Sequence, residues 1–236
     1  MVSRFKTFSY VLEKDYGMAP CFHDSLLSLA LCKVGIRQAV DKKKGVGDVL
    51  VGLWKSQQGQ SQYIRYIAIV SLIITLEQYY APNSIYRKRP DCIYAWRDGE
   101  MIHLGGRFHA DNNDPRKNAE AQRKDKEGVV LICEKVHFYG YDDAPEATYM
   151  KAYLTQNYHT DDDDKTMAFI TELLVKEGLL TADEGAASGS GNNGIATGNQ
   201  MALAASTTTP TAPAAHGDVG APDHAAEDEI AMHDGH

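Results

Sequence analysis

The sequence lacks the motifs by which most cofactor enzymes are recognised. It contains no P-loop, no GxGxxG dinucleotide-binding pattern, no HExxH zinc motif and no GxSxG nucleophile elbow. Its four cysteines form no CxxC pair, so neither a paired-cysteine zinc site nor a disulfide framework is indicated. We therefore expect no metal, no cofactor and reduced thiols.

Long apolar runs are missing as well. No N-terminal stretch has the length of a signal peptide, and no segment is apolar for long enough to cross a bilayer. Together with the unpaired cysteines, this predicts a cytoplasmic protein without a membrane partner.

Basic residues are absent from the C-terminal part. All 24 Lys and Arg lie at or before Lys176, whereas residues 181–236 carry eight acids among Ala, Gly, Ser, Thr and Pro. Such a segment buries too little apolar surface to offset the entropy of ordering its backbone. It is predicted to be a disordered acidic tail, to which a protein partner could bind.

The rest of the chain is divided by charge. Residues 1–140 hold 21 basic and 15 acidic side chains, and residues 141–180 hold three and nine. A basic surface of this kind suits nucleic acid, although it is also common on ordinary soluble proteins. The candidates for contact with a nucleic-acid backbone are Lys42, Lys43, Lys44, Arg87, Lys88 and Arg89.

Aromatic and β-branched segments predict about six strands. They comprise residues 5–13, 25–32, 47–54, 63–75 and 129–140, with a hairpin at 97–104 around an Asp-Gly pair. Helices are predicted at 33–43, after Thr75, and in the acidic segment 161–180, while the polar residues 105–128 are predicted to be a surface loop with one exposed turn.

This order of elements predicts an α+β fold. We expect a curved or barrel-like, mostly antiparallel sheet with short helices, a C-terminal helix and the acidic tail. The predicted domain covers residues 1–145, followed by a linker and helix over 146–180 and the tail over 181–236.

The sequence does not single out a catalytic group. Cys133 lies in an apolar run, and no nucleophile signature surrounds Cys21 or Cys32. Several histidines and aspartates could form an acid–base pair, but spacing alone brings none of them together. These candidates are His23, His103 and His109 with Asp15, Asp111 or Asp114.

One group of residues suggests a pocket for a flat anion. Trp54 and Ser56 end one predicted strand, and Cys32, Lys33 and Arg37 follow another. If the two strands are neighbours, an aromatic plane, a hydroxyl and cations converge, which would stack a base and bind its phosphate. The alternative is that Trp54 fills the core and the cations are solvated.

Six motifs, in this order, resemble the second class of nucleotide modification associated domains, a bacterial and phage family. They are FSYVLEKDYGMAP, LALCKVGIRQAV, VGDVLVGLWKS, YIAIVSLIITLEQYY, RKRPDCIYAW and VVLICEKVHFYG, and they span about residues 5–142. Asp15 and Tyr16 match the family's DYGxAP loop, and Cys32, Lys33 and Arg37 match its TCKPxIR segment. The chain departs at GLWKS, where the family has GTGS.

The resemblance implies work on or around modified nucleic-acid bases. The layout is also similar to PUA-like barrels, which hold a flipped, modified base in a cage. The first hypothesis is therefore a nucleic-acid-associated module that recognises or helps handle modified bases in DNA. The alternatives are an enzyme that modifies a nucleotide or base, with Asp15 or His23 as its base, and an accessory protein that recruits a partner through its C-terminal part.

Overall fold

A computed structural model describes residues 5–12, 17–54, 62–105, 108–110, 114–140, 142–150 and 158–189. The strands are β1 Thr7–Leu12, β2 Cys21–His23, β3 Leu26–Leu29, β4 Val49–Trp54, β5 Ile64–Ile69, β6 Leu72–Ile74, β7 Tyr94–Arg97, β8 Glu100–His103, β9 Val130–Cys133, β10 Lys135–Phe138 and β11 His159–Asp161. The helices are α1 Val34–Lys43, α2 Leu76–Tyr80, α3 Pro115–Asp125, α4 Asp164–Lys176 and α5 Ala182–Gly189.

The central sheet has the order β10-β5-β4-β1-β11. β1 and β4 are parallel, and the other pairs are antiparallel. Both faces are covered, which explains the nearly continuous apolar sequence of β4. Val49, Val51 and Leu53 pack in one cluster with Ile170 and Leu174 of α4. The linker region and C-terminal helix thus share a core with the preceding part of the chain.

A second sheet has the order β2-β3-β9-β6, and β7 and β8 form a separate hairpin. A separate apolar cluster joins this sheet to α2 and the hairpin, and it includes Leu31, Tyr79, Tyr80, Tyr94 and Ile132. The predicted α+β class with mostly antiparallel strands is confirmed. The described strands form separate sheets rather than one closed barrel.

Each of the two strands predicted over residues 63–75 and 129–140 is divided in the structure into two strands that belong to different sheets. β5 gives way to β6 at Val70 and Ser71, and β9 gives way to β10 at Glu134. The two crossing points lie together, because the Glu134 amide donates to Ser71 Oγ at 2.9 Å and the Ser71 amide donates to the Ile132 carbonyl at 2.8 Å. Neither crossing has a Gly or Pro, so the sequence offered no break signal.

Local signals at α2 and the hairpin were sufficient. Thr75 and Gln78 form a capping box at the start of α2. Asp98 and Gly99 both have positive φ, 51° and 82°, as a tight turn between antiparallel strands requires. Both elements confirm their predictions.

Two helices lie where none was predicted. α3 occupies the predicted surface loop, with Asp114 as its N-cap and Pro115 in its first turn. Its side chains are mostly polar, so it lacks the apolar period that would have indicated a helix. α5 begins in the predicted tail, where Thr181 and Glu184 exchange capping hydrogen bonds. The remaining tail, from residue 190, lies outside the described residues.

In the part of the chain that the structure describes, none of the helices combines the length and apolar character that a bilayer crossing demands.

Gly52 makes room for a buried tyrosine. A Cβ at this position in β4 would collide with the ring of Tyr66 on β5, and Tyr66 is fully buried, with its hydroxyl 2.5 Å from that of Tyr10. We expect Gly52→Ala to lower the free energy of unfolding by about 1–3 kcal/mol in a urea titration, the usual cost of overpacking. Tyr66→Ala as a second substitution should remove most of this penalty, and an equal penalty in both backgrounds would contradict the steric explanation.

Candidate active site

Cys32 lies between the end of β3 and the start of α1, in a strained backbone. Cys32 and Lys33 have φ values of 53° and 38°, in the left-handed region that non-glycine residues rarely occupy. The surroundings fix this conformation: the Cys32 amide donates to Asp125 Oδ1 at 2.8 Å, and its carbonyl accepts from Arg37 Nε at 3.0 Å. Strain of this kind concentrates at functional sites.

His109 lies directly beside the Cys32 thiol. Its Nε2 is 3.3 Å from Cys32 Sγ, and its Nδ1 is 2.5 Å from Asp125 Oδ2. The imidazole stacks on the Phe108 ring with centroids 4.2 Å apart. Gln122 of α3 donates to the His109 carbonyl at 2.9 Å. The ring is therefore held between a sulfur and a carboxylate.

Asp125 ends α3 and is completely buried. Its Oδ1 accepts from the Cys32 amide, and its Oδ2 accepts from the Tyr94 hydroxyl at 2.8 Å while facing His109. A buried carboxylate is costly unless it is bonded in this way. Asp125 therefore orients the imidazole and the backbone of Cys32 together.

The charge around His109 favours its protonated form. Burial lowers the pKa of His109, but the hydrogen bonds and charges of Asp125 and Cys32 outweigh burial and raise the pKa to about 9. At neutral pH the ring is then an imidazolium. An imidazolium N–H beside a cysteine sulfur is the arrangement that activates a cysteine nucleophile.

The same three side chains have the donor types of a metal site, with ligand atoms within 4.8 Å of one another. Their arrangement fits a relay better. The sulfur and the carboxylate face opposite nitrogens of one ring, whereas a chelated ion would need one imidazole nitrogen, the sulfur and a carboxylate oxygen pointing at a common centre. Cys32, His109 and Asp125 thus have the geometry of a nucleophile, a base and an orienting acid.

The start of α1 supplies donors for a developing negative charge. By helix geometry, the first amides of α1, from Val34 and Gly35, have no carbonyl in a preceding turn. Both residues line the same pocket as Cys32. The positive end of the helix dipole also lies here. An oxyanion formed next to Cys32 could be stabilised by these amides.

The triad opens into a pocket with a volume of about 700 Å³. Its walls come from α1, α3 and the ends of β1 and β11, and they include Leu12, Met18, Ala19, Phe108, Ala121 and Tyr158. Lys33, Lys117, Glu120 and Lys124 add charge, and Lys124 pairs with Glu120 at 2.7 Å. The size suits a small organic ligand, and the lysines favour an anionic one.

Of the predicted ligand-binding residues, Cys32 and Lys33 line this pocket. Lys33 Nζ lies over the Tyr10 ring, 4.8 Å from its centroid. Arg37 is fully buried and donates to the carbonyls of Cys32 and Val129, so it holds backbone rather than facing the pocket. Burial lowers the pKa of Arg37.

Trp54 is not among the residues that line the pocket. The Arg65 guanidinium lies over its ring at 4.5 Å, so the expected meeting of Trp54 with Lys33 and Arg37 is replaced by a contact with Arg65. The predicted ligand-binding residues Asp15, Tyr16 and Ser56 lie outside the described residues.

The predicted backbone-contact cations have different surroundings. Lys42, Lys43, Lys44 and Lys88 are exposed. Arg87 donates to the Tyr94 carbonyl at 2.9 Å. Arg89 is buried and donates to the carbonyls of Cys21, His23 and Leu26, with Asp91 at 3.6 Å. The two arginine side chains thus bind the protein's own groups.

The sequence did not indicate the triad as a unit. The predicted partners of His109 were Asp15, Asp111 or Asp114, whereas the structure pairs it with Asp125, at the far end of an unpredicted helix. Cys32 was included as a ligand contact without a nucleophilic role. The available signal was a cysteine between a buried strand and a helix start, the position where an amide-rich helix end activates a thiol.

Selective alkylation tests the activated thiol. At pH 7 we expect iodoacetamide to modify Cys32 alone, because Cys21, Cys92 and Cys133 are buried and burial raises the pKa of each. His109→Ala should slow the reaction by about tenfold or more, since it removes the cation beside the sulfur. Intact-mass measurement over time gives the rates, with Cys32→Ala as the control. Equal rates in the wild type and His109→Ala would contradict the activation.

The raised pKa of His109 also makes stability depend on pH. The folded protein binds a proton more tightly than the unfolded chain, so the stabilisation is complete below the ordinary pKa of about 6.5 and is lost as the pH rises through about 9. The difference in free energy of unfolding between the wild type and His109→Gln should therefore shrink over this interval. Taking this difference removes the contribution of every group that titrates alike in both proteins. A difference in free energy of unfolding that did not change with pH would contradict the raised pKa of His109.

Family comparison places this geometry in context. Residues 4–180 match the model of the family described as nucleotide modification associated domain 2, a range that contains all three residues of the triad. No curated protein and no solved structure matches the chain. Because the match covers most of the sequence, the chain belongs to the nucleotide modification associated domain 2 family.

Proposed function

We propose that the protein is a cysteine-nucleophile enzyme that transfers or removes an acyl group on a nucleotide or nucleobase. The single observation that carries this proposal is the Cys32–His109–Asp125 relay, with a sulfur to nitrogen distance of 3.3 Å and a nitrogen to carboxylate distance of 2.5 Å. A nucleophile hydrogen-bonded to a base, which a third group orients, is the recurring arrangement of acyl-transfer enzymes.

The first half of the reaction forms a thioester. The Cys32 thiolate attacks the acyl carbon, and the carbonyl electron pair moves to oxygen, where the first amides of α1 can donate hydrogen bonds. The C–O⁻ bond then regains its double-bond character and expels the leaving group, which takes the proton from His109 Nε2. The enzyme is left with an acylated Cys32 and a neutral His109.

The second half returns the starting state. Neutral His109 takes a proton from the acceptor, water or an amine, as the acceptor attacks the thioester carbon. The carbon–sulfur bond breaks, the acyl group leaves on the acceptor, and the thiolate and imidazolium are restored. Asp125 orients the imidazole in both halves through its contact with Nδ1.

The nucleotide part of the proposal is supported by family membership and by the pocket. The family name refers to nucleotide modification. A volume of about 700 Å³ accommodates a nucleotide, and Lys33 and Lys117 supply positive charge for a phosphate.

A second candidate function is a non-catalytic module that recognises a modified base in DNA, as in PUA-like domains. The observation in its favour is the aromatic and cationic contact of Trp54 with Arg65, a pair suited to stacking on a base. In this case the base binds at the Trp54–Arg65 pair, and Cys32 has no chemical role.

An activated acyl ester distinguishes the two candidates. With p-nitrophenyl acetate we expect an initial burst of nitrophenolate and an acetyl adduct on Cys32, detected by intact mass. Cys32→Ala should abolish both, His109→Gln should slow acylation by about 10²-fold or more, and Cys92→Ala is the matched control. Deoxynucleoside monophosphates are then tested as acceptors by mass spectrometry. A burst that survives in Cys32→Ala would overturn the enzymatic proposal.

A further inference from the structure

Aromatic side chains from two sheets meet outside the pocket. Phe22 lies on the edge strand β2 of one sheet, and Phe138 lies on the edge strand β10 of the other. Their ring centroids are 4.8 Å apart. Phe22 is 48% exposed, which is unusual for a side chain of its size. Together with Trp54 and Arg65, these residues form what we call the aromatic face.

Arg65 connects the rings of this face. Its guanidinium carbon is 4.5 Å from the centroid of Trp54 and 5.6 Å from that of Phe138. Nη1 donates to the Tyr139 carbonyl at 2.6 Å, which fixes the plane of the group. A planar cation between aromatic rings is a combination on which unpaired bases stack, because the rings offer π surfaces and the cation attracts phosphate.

The aromatic face is connected to the candidate active site through buried side chains. The ring of Phe138 is 5.4 Å from that of Tyr66, whose hydroxyl bonds that of Tyr10. Lys33, which lines the pocket, lies over the Tyr10 ring. In addition, Leu12 in the pocket wall is paired with Trp54 across β1 and β4. The pocket wall and the aromatic face are thus carried by the neighbouring strands β1 and β4.

We propose that the aromatic face binds single-stranded nucleic acid, with bases stacked on Phe22 and on the neighbouring rings. The delivery of one base from this strand to Cys32 rests on the proposed function, whereas the stacking itself does not. A single strand fits better than a duplex, because the faces of paired bases are covered by their neighbours. A polymer partner also explains why binding groups lie outside a pocket that is large enough for one nucleotide.

The experiment uses the full chain and a fluorescein-labelled oligothymidylate in fluorescence anisotropy at low salt, where phosphate contacts are strongest. Phe22→Leu keeps an apolar side chain but removes the ring, and Phe22→Trp keeps a ring. The matched control is Leu72→Ala, since Leu72 is 44% exposed on β6 at the opposite edge of the same sheet. A labelled duplex that contains one thymidylate strand is measured in the same way for comparison.

We expect Phe22→Leu to weaken binding by about 5- to 150-fold, the loss that corresponds to one stacked base, and Phe22→Trp and Leu72→Ala to bind as the wild type does. The duplex should bind more weakly than the single strand. Absence of binding by the wild type, unchanged binding by Phe22→Leu, or equal affinity for the duplex would overturn the inference. A surface that docks protein instead would leave the oligothymidylate unbound, or bound elsewhere on the protein, and would give one of the first two outcomes.

The rate of Cys32 alkylation separates this inference from the proposed function. Because Phe22 is not among the residues that line the pocket, both Phe22 variants should be alkylated at the wild-type rate. If Phe22→Leu binds the strand more weakly than the wild type and is alkylated at the normal rate, strand binding by the aromatic face is supported whatever the ester assay gives. A failed ester assay with intact strand binding rejects the enzymatic proposal alone.

Discussion

The buried carboxylate of Asp125 is the interaction on which the site depends. It receives the amide of Cys32, the hydroxyl of Tyr94 and the imidazole of His109, so it joins the end of α3 to the start of α1, to β7 and to the loop before α3. These donors come from parts of the chain that are distant in sequence, since Cys32 and Asp125 are 93 positions apart. The charge that would be costly in isolation is therefore also the reason that the segments meet.

The left-handed backbone at Cys32 follows from this arrangement. With a positive φ the residue directs its amide toward Asp125, while its carbonyl accepts from Arg37 and its sulfur faces His109. Arg37, which the sequence suggested as a ligand contact, supports this turn from within the protein. Two cationic side chains predicted to contact ligand or nucleic acid, Arg37 and Arg89, donate to main-chain carbonyls of the protein itself, among them those of Val129 and Cys21.

Elements with local signals were predictable from the sequence. Thr75 caps α2, Asp98 and Gly99 form the hairpin turn, and the acidic start of α4 is capped by Asp163. The crossings between sheets and the pairing of His109 with Asp125 were not, because they depend on contacts between distant residues. α3 was missed because its stabilising contact is the single buried acid at its end rather than an apolar stripe.

The paired crossings at Ser71 and Glu134 have a mechanical consequence. Two continuous segments run through both sheets and are hydrogen-bonded to each other at the corner where they change sheet. Sliding one sheet past the other would stretch both segments at once. In the described residues the two sheets are therefore coupled at this corner, and the relative position of the groups that they carry is set by the chain path itself.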